Sequence, residues 1–144
     1  MVKWTSITRV LIHVGIFDDI ALCVKKRWYQ SLGTEMPRIS RLLQQDSRLP
    51  GEGTYYYIKL QPIQNRTFHA RINLPDENMG KRGGARIIYA KETLEVVKIL
   101  YVGGHKDHRY TDNHFMTTLI EQRYSEERFI EYIDNLDFNN HPKE

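Results

Sequence analysis

The stretch ARIIYAKETLEVVKILYVGGHKDHRYTDN, residues 85–113, decides how this chain folds. Its two apolar runs, Ala85–Lys91 and Glu95–Val102, are strand-length, rich in β-branched and aromatic residues, and joined by a short polar link. That spacing predicts a hairpin of antiparallel strands. A period of two puts Arg86 and Ile88 on one face of the first strand, with Ile87 and Tyr89 on the other. Arg86 therefore belongs to a sheet face or edge and not to a solvated loop. The second strand ends at Gly103-Gly104, and His105-Lys106-Asp107-His108-Arg109-Tyr110 follows at once. A hairpin brings this polar cluster towards Arg86, with Arg71 on the preceding strand placed to join them.

Upstream, residues 67–74 alternate Phe68, Ala70 and Ile72 against His69, Arg71 and Asn73, and Tyr55–Leu60 reads as a further strand ended by Pro62. Turn residues fill Pro50–Gly53 and Pro75–Gly80, and Lys81-Arg82-Gly83-Gly84 extends the second loop. Earlier still, Val10–Val14 predicts a first strand ended by Gly15. Asp18 or Asp19 is expected to cap a helix carrying Ile20, Ala21, Val24 and Trp28, and Gly33 to stop it. Pro37 is expected in the first turn of a second helix bearing Ile39, Leu42 and Leu43. From Asp112 the spacing turns helical through Met116, Leu119 and Ile120. Ser125-Glu126-Glu127 then interrupts, and a further helix is expected to carry Phe129, Ile130 and Ile133. The predicted fold is α+β: an N-terminal strand and helices, a central antiparallel β-sheet of about four to five strands, and a C-terminal helix. One domain spans residues 1–138, with 139–144 as a flexible tail.

Composition bounds the function. Hydrophobic residues at 40% and charged residues at 27% suit a globular chain and not a disordered one. No apolar run approaches the roughly 20 residues of a membrane span. The amino terminus MVKWTSITRV has no secretory apolar core, and Cys23 is the single cysteine, so a reducing, cytoplasmic setting is expected. Cys23 lies near an apolar helix stripe and reads as a packing residue. The net charge of +3 hides an asymmetry, since residues 121–144 carry three Lys/Arg against seven Asp/Glu and the rest of the chain is basic. A basic body suits a phosphate-rich partner, and ordinary surface scatter is the plainer alternative. The acidic segment either shields the basic face, meets a partner, or is a solvated helix face formed by Glu126, Glu127 and Glu131.

The cluster at residues 105–110 carries the chemistry. Lys and Arg neutralise phosphate oxygens as charge accumulates, His moves a proton near neutral pH, and Tyr stacks on a splayed base. Together they suit phosphodiester cleavage without a metal. Each member also has a plainer reading: Arg86 pairing with Glu77 or Glu95, His105 and His108 at the surface, Tyr110 in packing. His105, Asp107, His108, Asp112 and His114 crowd together, yet no HExxH pattern or cysteine pair accompanies them, so no metal and no cofactor is expected.

These residues resemble those of a known family. Ala85-Arg86-Ile87-Ile88-Tyr89 is similar to the Y-R-V-x-Y strand of the RelE/ParE toxin superfamily, with Ala85 in place of the usual aromatic. Residues 102–110, VGGHKDHRY, are similar to its terminal-strand signature V-G-H-R-x-x-x-Y, with Lys106 where Arg is common. His105-Lys106 followed by Asp112-Asn113 and Met116 also resembles the YafO branch, although the spacing here is longer. The resemblance covers residues 54–120 and implies the toxin of a type II toxin–antitoxin pair. It implies a ribosome-dependent mRNA endoribonuclease in which the 2′-hydroxyl attacks the adjacent phosphate, leaving a 2′,3′-cyclic phosphate. The implied partners are mRNA in the ribosomal A site, ribosomal RNA and a cognate antitoxin protein, with no membrane. Arg86 and Lys106 would stabilise phosphorane-like charge, His105 would transfer protons, and Tyr110 would position or stack on the substrate. Arg71, Lys81, Arg82 and Arg109 would hold RNA. A ParE-like gyrase inhibitor and a non-catalytic RNA- or protein-binding module stand as alternatives.

Overall fold

The computed structural model of the chain describes residues 8–46, 49, 55–77 and 84–140. Its centre is the expected hairpin: β3 (Ala85–Lys91) pairs antiparallel with β4 (Val96–Gly103), and β2 (Thr67–Ile72) pairs antiparallel with β3. On the other side of β4 lies β1 (Arg9–His13), which runs parallel to it, and β5 (Phe129–Glu131) closes that edge antiparallel to β1. The order is β2-β3-β4-β1-β5. The fold is α+β around a five-stranded sheet, with the parallel β1–β4 pair departing from a wholly antiparallel plan. Among the described residues no helix is long and apolar enough to cross a membrane.

Helices cover both faces. α1 (Gly15–Lys25) and α2 (Leu32–Asp46) pack on one, where Ile16, Ile20, Leu32, Met36 and Leu43 meet Ile87, Tyr89 and Ile99. α4 (Asn113–Ser125), preceded by the single turn α3 (His108–Thr111), packs Met116 and Ile120 on Ile88, Leu100 and Tyr101 of the other. Cys23 is buried in the first cluster, and burial pushes its thiol up to about 12, consistent with a packing role. The chain alternates cleanly between the two clusters except at one place. The register shifts so that Ile88 faces Tyr101 while Tyr89 faces Ile99, leaving Leu100 as a bulge residue. Leu100 and Tyr101 consequently both face α4, whereas Ile99 and Val102 face α1 and α2.

Several boundaries differ from the sequence expectation. Asp18 and Asp19 do not cap α1, because the helix begins at Gly15 directly after β1. Gly33 does not stop it either. α1 ends when Arg27 adopts a left-handed φ of 58°, with its N–H donating to the Val24 carbonyl and that of Trp28 to the Cys23 carbonyl. This is a Schellman closure with arginine where glycine is usual. Gly33 is inside α2, and Pro37 lies in that helix beyond its first turn, since Leu32 and Met36 extend the apolar stripe backwards. Tyr55–Leu60 is not a strand: it keeps one bridge to β2, from Tyr55 to Phe68, and Ile58 then turns into the α4 cluster. Phe129 and Ile130 belong to β5 and not to a second C-terminal helix. Glu131 accordingly sits on a strand, paired with Arg9. Pro50–Gly53 lies outside the described residues. Phe138 packs against Phe17 and Tyr132, while of residues 139–144 the structure describes Asn139 and Asn140, both bonded to Asp137.

One buried ion pair ties these layers together. Arg123 of α4 donates from Nη1 and Nη2 to the Asp19 carboxylate of α1 at 2.7 and 3.0 Å, and from Nη1 to the Leu100 carbonyl at 3.0 Å. The Val102 N–H also donates to Asp19, at 3.3 Å. β1 pairs with β4 only as far as Ile99, so these side chains serve β4 backbone groups that no strand reaches. Gly15 makes room: a Cβ there would lie 2.7 Å from the Arg123 Cζ. Removing one partner leaves the other charge buried and unpaired. Arg123→Ala is therefore expected to lower the unfolding free energy by about 3–5 kcal/mol in urea titration. Arg9→Ala, which breaks the exposed pair with Glu131, is expected to cost less than about 1 kcal/mol.

Candidate active site

The β2–β3 register sets Arg71 opposite Arg86 and His69 opposite Ile88, and the β3–β4 register sets Arg86 opposite Gly103 and Ile88 opposite Tyr101. Side chains directly opposite share a face. His69, Arg71, Arg86 and Tyr101 thus lie on the α4 side of the sheet, at the end where β4 runs into residues 104–110. Arg86 is buried and donates from Nη1 to the carbonyls of Gly84 and Ala85 at 2.9 and 3.1 Å, which fixes its guanidinium at the strand entrance. Arg71 is exposed beside it.

The turn after β4 is built on Asp107. Its carboxylate accepts from the Tyr101 hydroxyl at 2.9 Å and from the Arg109 amide at 3.0 Å, capping α3. Arg109 adds bonds from Nε and Nη2. Burial works against ionisation of Asp107, but the Arg109 bonds and the Tyr101 hydroxyl outweigh it and hold the carboxyl below its ordinary pKa. Gly104, at φ +153°, lets the chain pass Tyr29: a Cβ there would lie 2.6 Å from the tyrosine oxygen, which accepts from the Lys106 N–H at 3.2 Å.

This scaffold presents Tyr110. Its ring stacks on Tyr101 at 5.7 Å, and His105 meets it edge-on at 5.2 Å between centroids. Its hydroxyl lies 3.4 Å from His69 Nδ1. His69 is also edge-on to Tyr56 at 5.7 Å. Burial lowers the His69 pKa, and the cations Arg86 and Arg71 lower it further, with His105. The imidazole is therefore neutral at pH 7 and able to accept a proton.

Of the residues expected from sequence, Arg71, Arg86, His105 and Tyr110 converge. Two do not. Lys106 turns its ammonium to the Trp28 carbonyl at 3.5 Å and over the Tyr29 ring at 5.4 Å. Arg109 is held by Asp107 at 2.8 Å and stands 3.6 Å from Asp19, within the structural network. Lys81 and Arg82 lie outside the described residues. Among the described residues no three potential metal ligands of the His, Cys, Asp and Glu types gather at one point. His69 was missed in the sequence. The signal was there, because it stands two positions from Arg71 and so on the same strand face. The ring face of Tyr110 is taken by Tyr101, so the hydroxyl is the group it offers. No family model matches the chain, and neither a curated protein nor a solved structure does.

A buried histidine, His13, and the half-buried His69 give the site and the fold a common pH dependence. Burial also lowers the pKa of His13, with Arg123 and Arg128 adding to the shift and Glu126 opposing it. An unfolded histidine takes its proton near 6.5. His13 and His69 take theirs at lower pH when folded, so between those values the unfolded chain binds more protons and stability falls with pH. Urea unfolding at pH 7.5 and 5.5 is expected to show lower stability at 5.5. The difference should shrink in His69→Gln, and an unchanged difference in both His69→Gln and His13→Gln would refute the assignment.

Proposed function

We propose that this chain is a metal-independent endoribonuclease of the RelE/YafO toxin type, cleaving mRNA in the ribosomal A site and held in check by a cognate antitoxin. The observation that carries the reading is the convergence of His69, Arg71, Arg86, His105 and Tyr110 on one end of one sheet face. Two guanidiniums in cross-strand register match the non-bridging oxygens of a phosphodiester, whose charge grows as a fifth oxygen approaches phosphorus. Neutral His69 takes the proton of the 2′-hydroxyl, the freed oxygen bonds to phosphorus, and the bond to the 5′-oxygen breaks. His105 returns a proton to that leaving oxygen. The Tyr110 hydroxyl, beside His69, orients the imidazole or the phosphate. The products are a 2′,3′-cyclic phosphate and a 5′-hydroxyl. Relative to the sequence expectation, this scheme adds His69 and leaves Lys106 at the margin.

One observation favours a second reading, binding without cleavage: the Lys106 ammonium is engaged with Trp28 and Tyr29 and not with the cluster. Induced expression in bacteria separates the two. The nuclease reading expects growth arrest and new mRNA 5′ ends inside translated frames, measured by primer extension. Arg71→Ala, which removes an exposed side chain, is expected to lower cleavage strongly. His69→Asn is expected to cost about 10²–10⁴-fold in rate. Lys106→Ala is expected to cost less than either. Arrest without new ends would select the binding or gyrase-directed reading.

A further inference from the structure

A groove of about 390 Å³ lies between the extended segment 56–60 and α4. Tyr57 and Lys59 form one wall, and Asn113, His114, Thr118 and Glu121 the other. It falls in the roughly 300–1,000 Å³ range of small-ligand sites. Along the chain, both walls continue into residues of the candidate cluster or its neighbours. Tyr56, the residue before Tyr57, packs its ring against His69, and α4 begins three residues after Tyr110. Along the extended segment, Ile58 points into the core while Tyr57 and Lys59 point out, and Tyr57 is 68% exposed.

The lining is mixed. Lys59 is offset by Glu121, so the groove has no excess positive charge for a phosphate. It offers an aromatic face together with amide, imidazole and hydroxyl groups. That combination suits a flat, neutral, hydrogen-bonding ring.

We propose that this groove holds the nucleobase adjoining the scissile phosphate of single-stranded RNA, with Tyr57 as its stacking platform. The assignment rests on the nuclease reading and extends it. Arg71 and Arg86 take the phosphate while Tyr57 takes the neighbouring base, so the segment that failed to join the sheet becomes a substrate wall. Tyr57 is a binding residue, and its loss weakens capture without slowing the bond-breaking step.

The test is single-turnover cleavage of a defined mRNA on purified ribosomes, for wild type, Tyr57→Ala and Tyr57→Phe. Each is run on intact mRNA and on mRNAs abasic at the nucleotide on either side of the cut. Tyr57→Ala is expected to raise the half-saturating protein concentration about tenfold, with the saturated rate unchanged. Tyr57→Phe should behave as wild type. One of the two abasic mRNAs should weaken wild type by the same factor and Tyr57→Ala no further. Cleavage by wild type with Tyr57→Ala unaffected, or with the abasic and Tyr57 effects additive for both mRNAs, overturns the groove assignment alone. Failure of wild type to cleave on the ribosome overturns the nuclease reading and the groove with it.

Discussion

The rest of the structure depends on a carboxylate buried away from the surface, that of Asp19. Burial pushes the Asp19 pKa up, and the two Arg123 bonds, the Arg109 charge and the Val102 amide oppose that push. Moving any of these groups leaves a charge in a low-dielectric interior, so α1, β4, α3 and α4 are fixed relative to one another as a unit. The candidate site inherits this constraint through Arg109. That side chain touches both Asp19 and Asp107, and Asp107 sets the turn that carries His105 and Tyr110.

Electrostatics then divides the labour among similar side chains. Arg109 and Arg123 face carboxylates and serve the fold, whereas Arg71 and Arg86 stand side by side across a strand pair. Like charges in register cost energy, and here they also lower the pKa of His69.

The hairpin was legible because Ala85–Lys91 and Glu95–Val102 are long, apolar and closely spaced, and the Arg71–Arg86 neighbourhood followed from pairing successive strands antiparallel. Other features had no local signature. Arg27 closes α1 in a conformation that sequence reading assigns to glycine, which is why Gly33 looked like the stop. The parallel placement of β1 depends on contacts far along the chain. The bulge at Leu100 is silent in the apolar run Ile99-Leu100-Tyr101-Val102, yet it turns Tyr101 towards α4 and gives Tyr110 its stacking partner. Lys106 and Arg109 misled for a related reason: the motif gives their position on the chain, but Trp28, Asp19 and Asp107 decide where their charges go.

The Asp19–Arg123 pair also has a consequence in time. Its members are 104 residues apart, whereas His69, Arg71, Arg86, His105 and Tyr110 fall within one shorter, continuous stretch between them. On a chain made from its amino terminus, the strands bearing the two guanidiniums emerge while Asp19 still lacks its partner. The clamp closes only after α4 has been synthesised, and β5 follows it. A nascent chain therefore carries every residue of the candidate site before it carries the tie that fixes them, and translation itself delays their assembly.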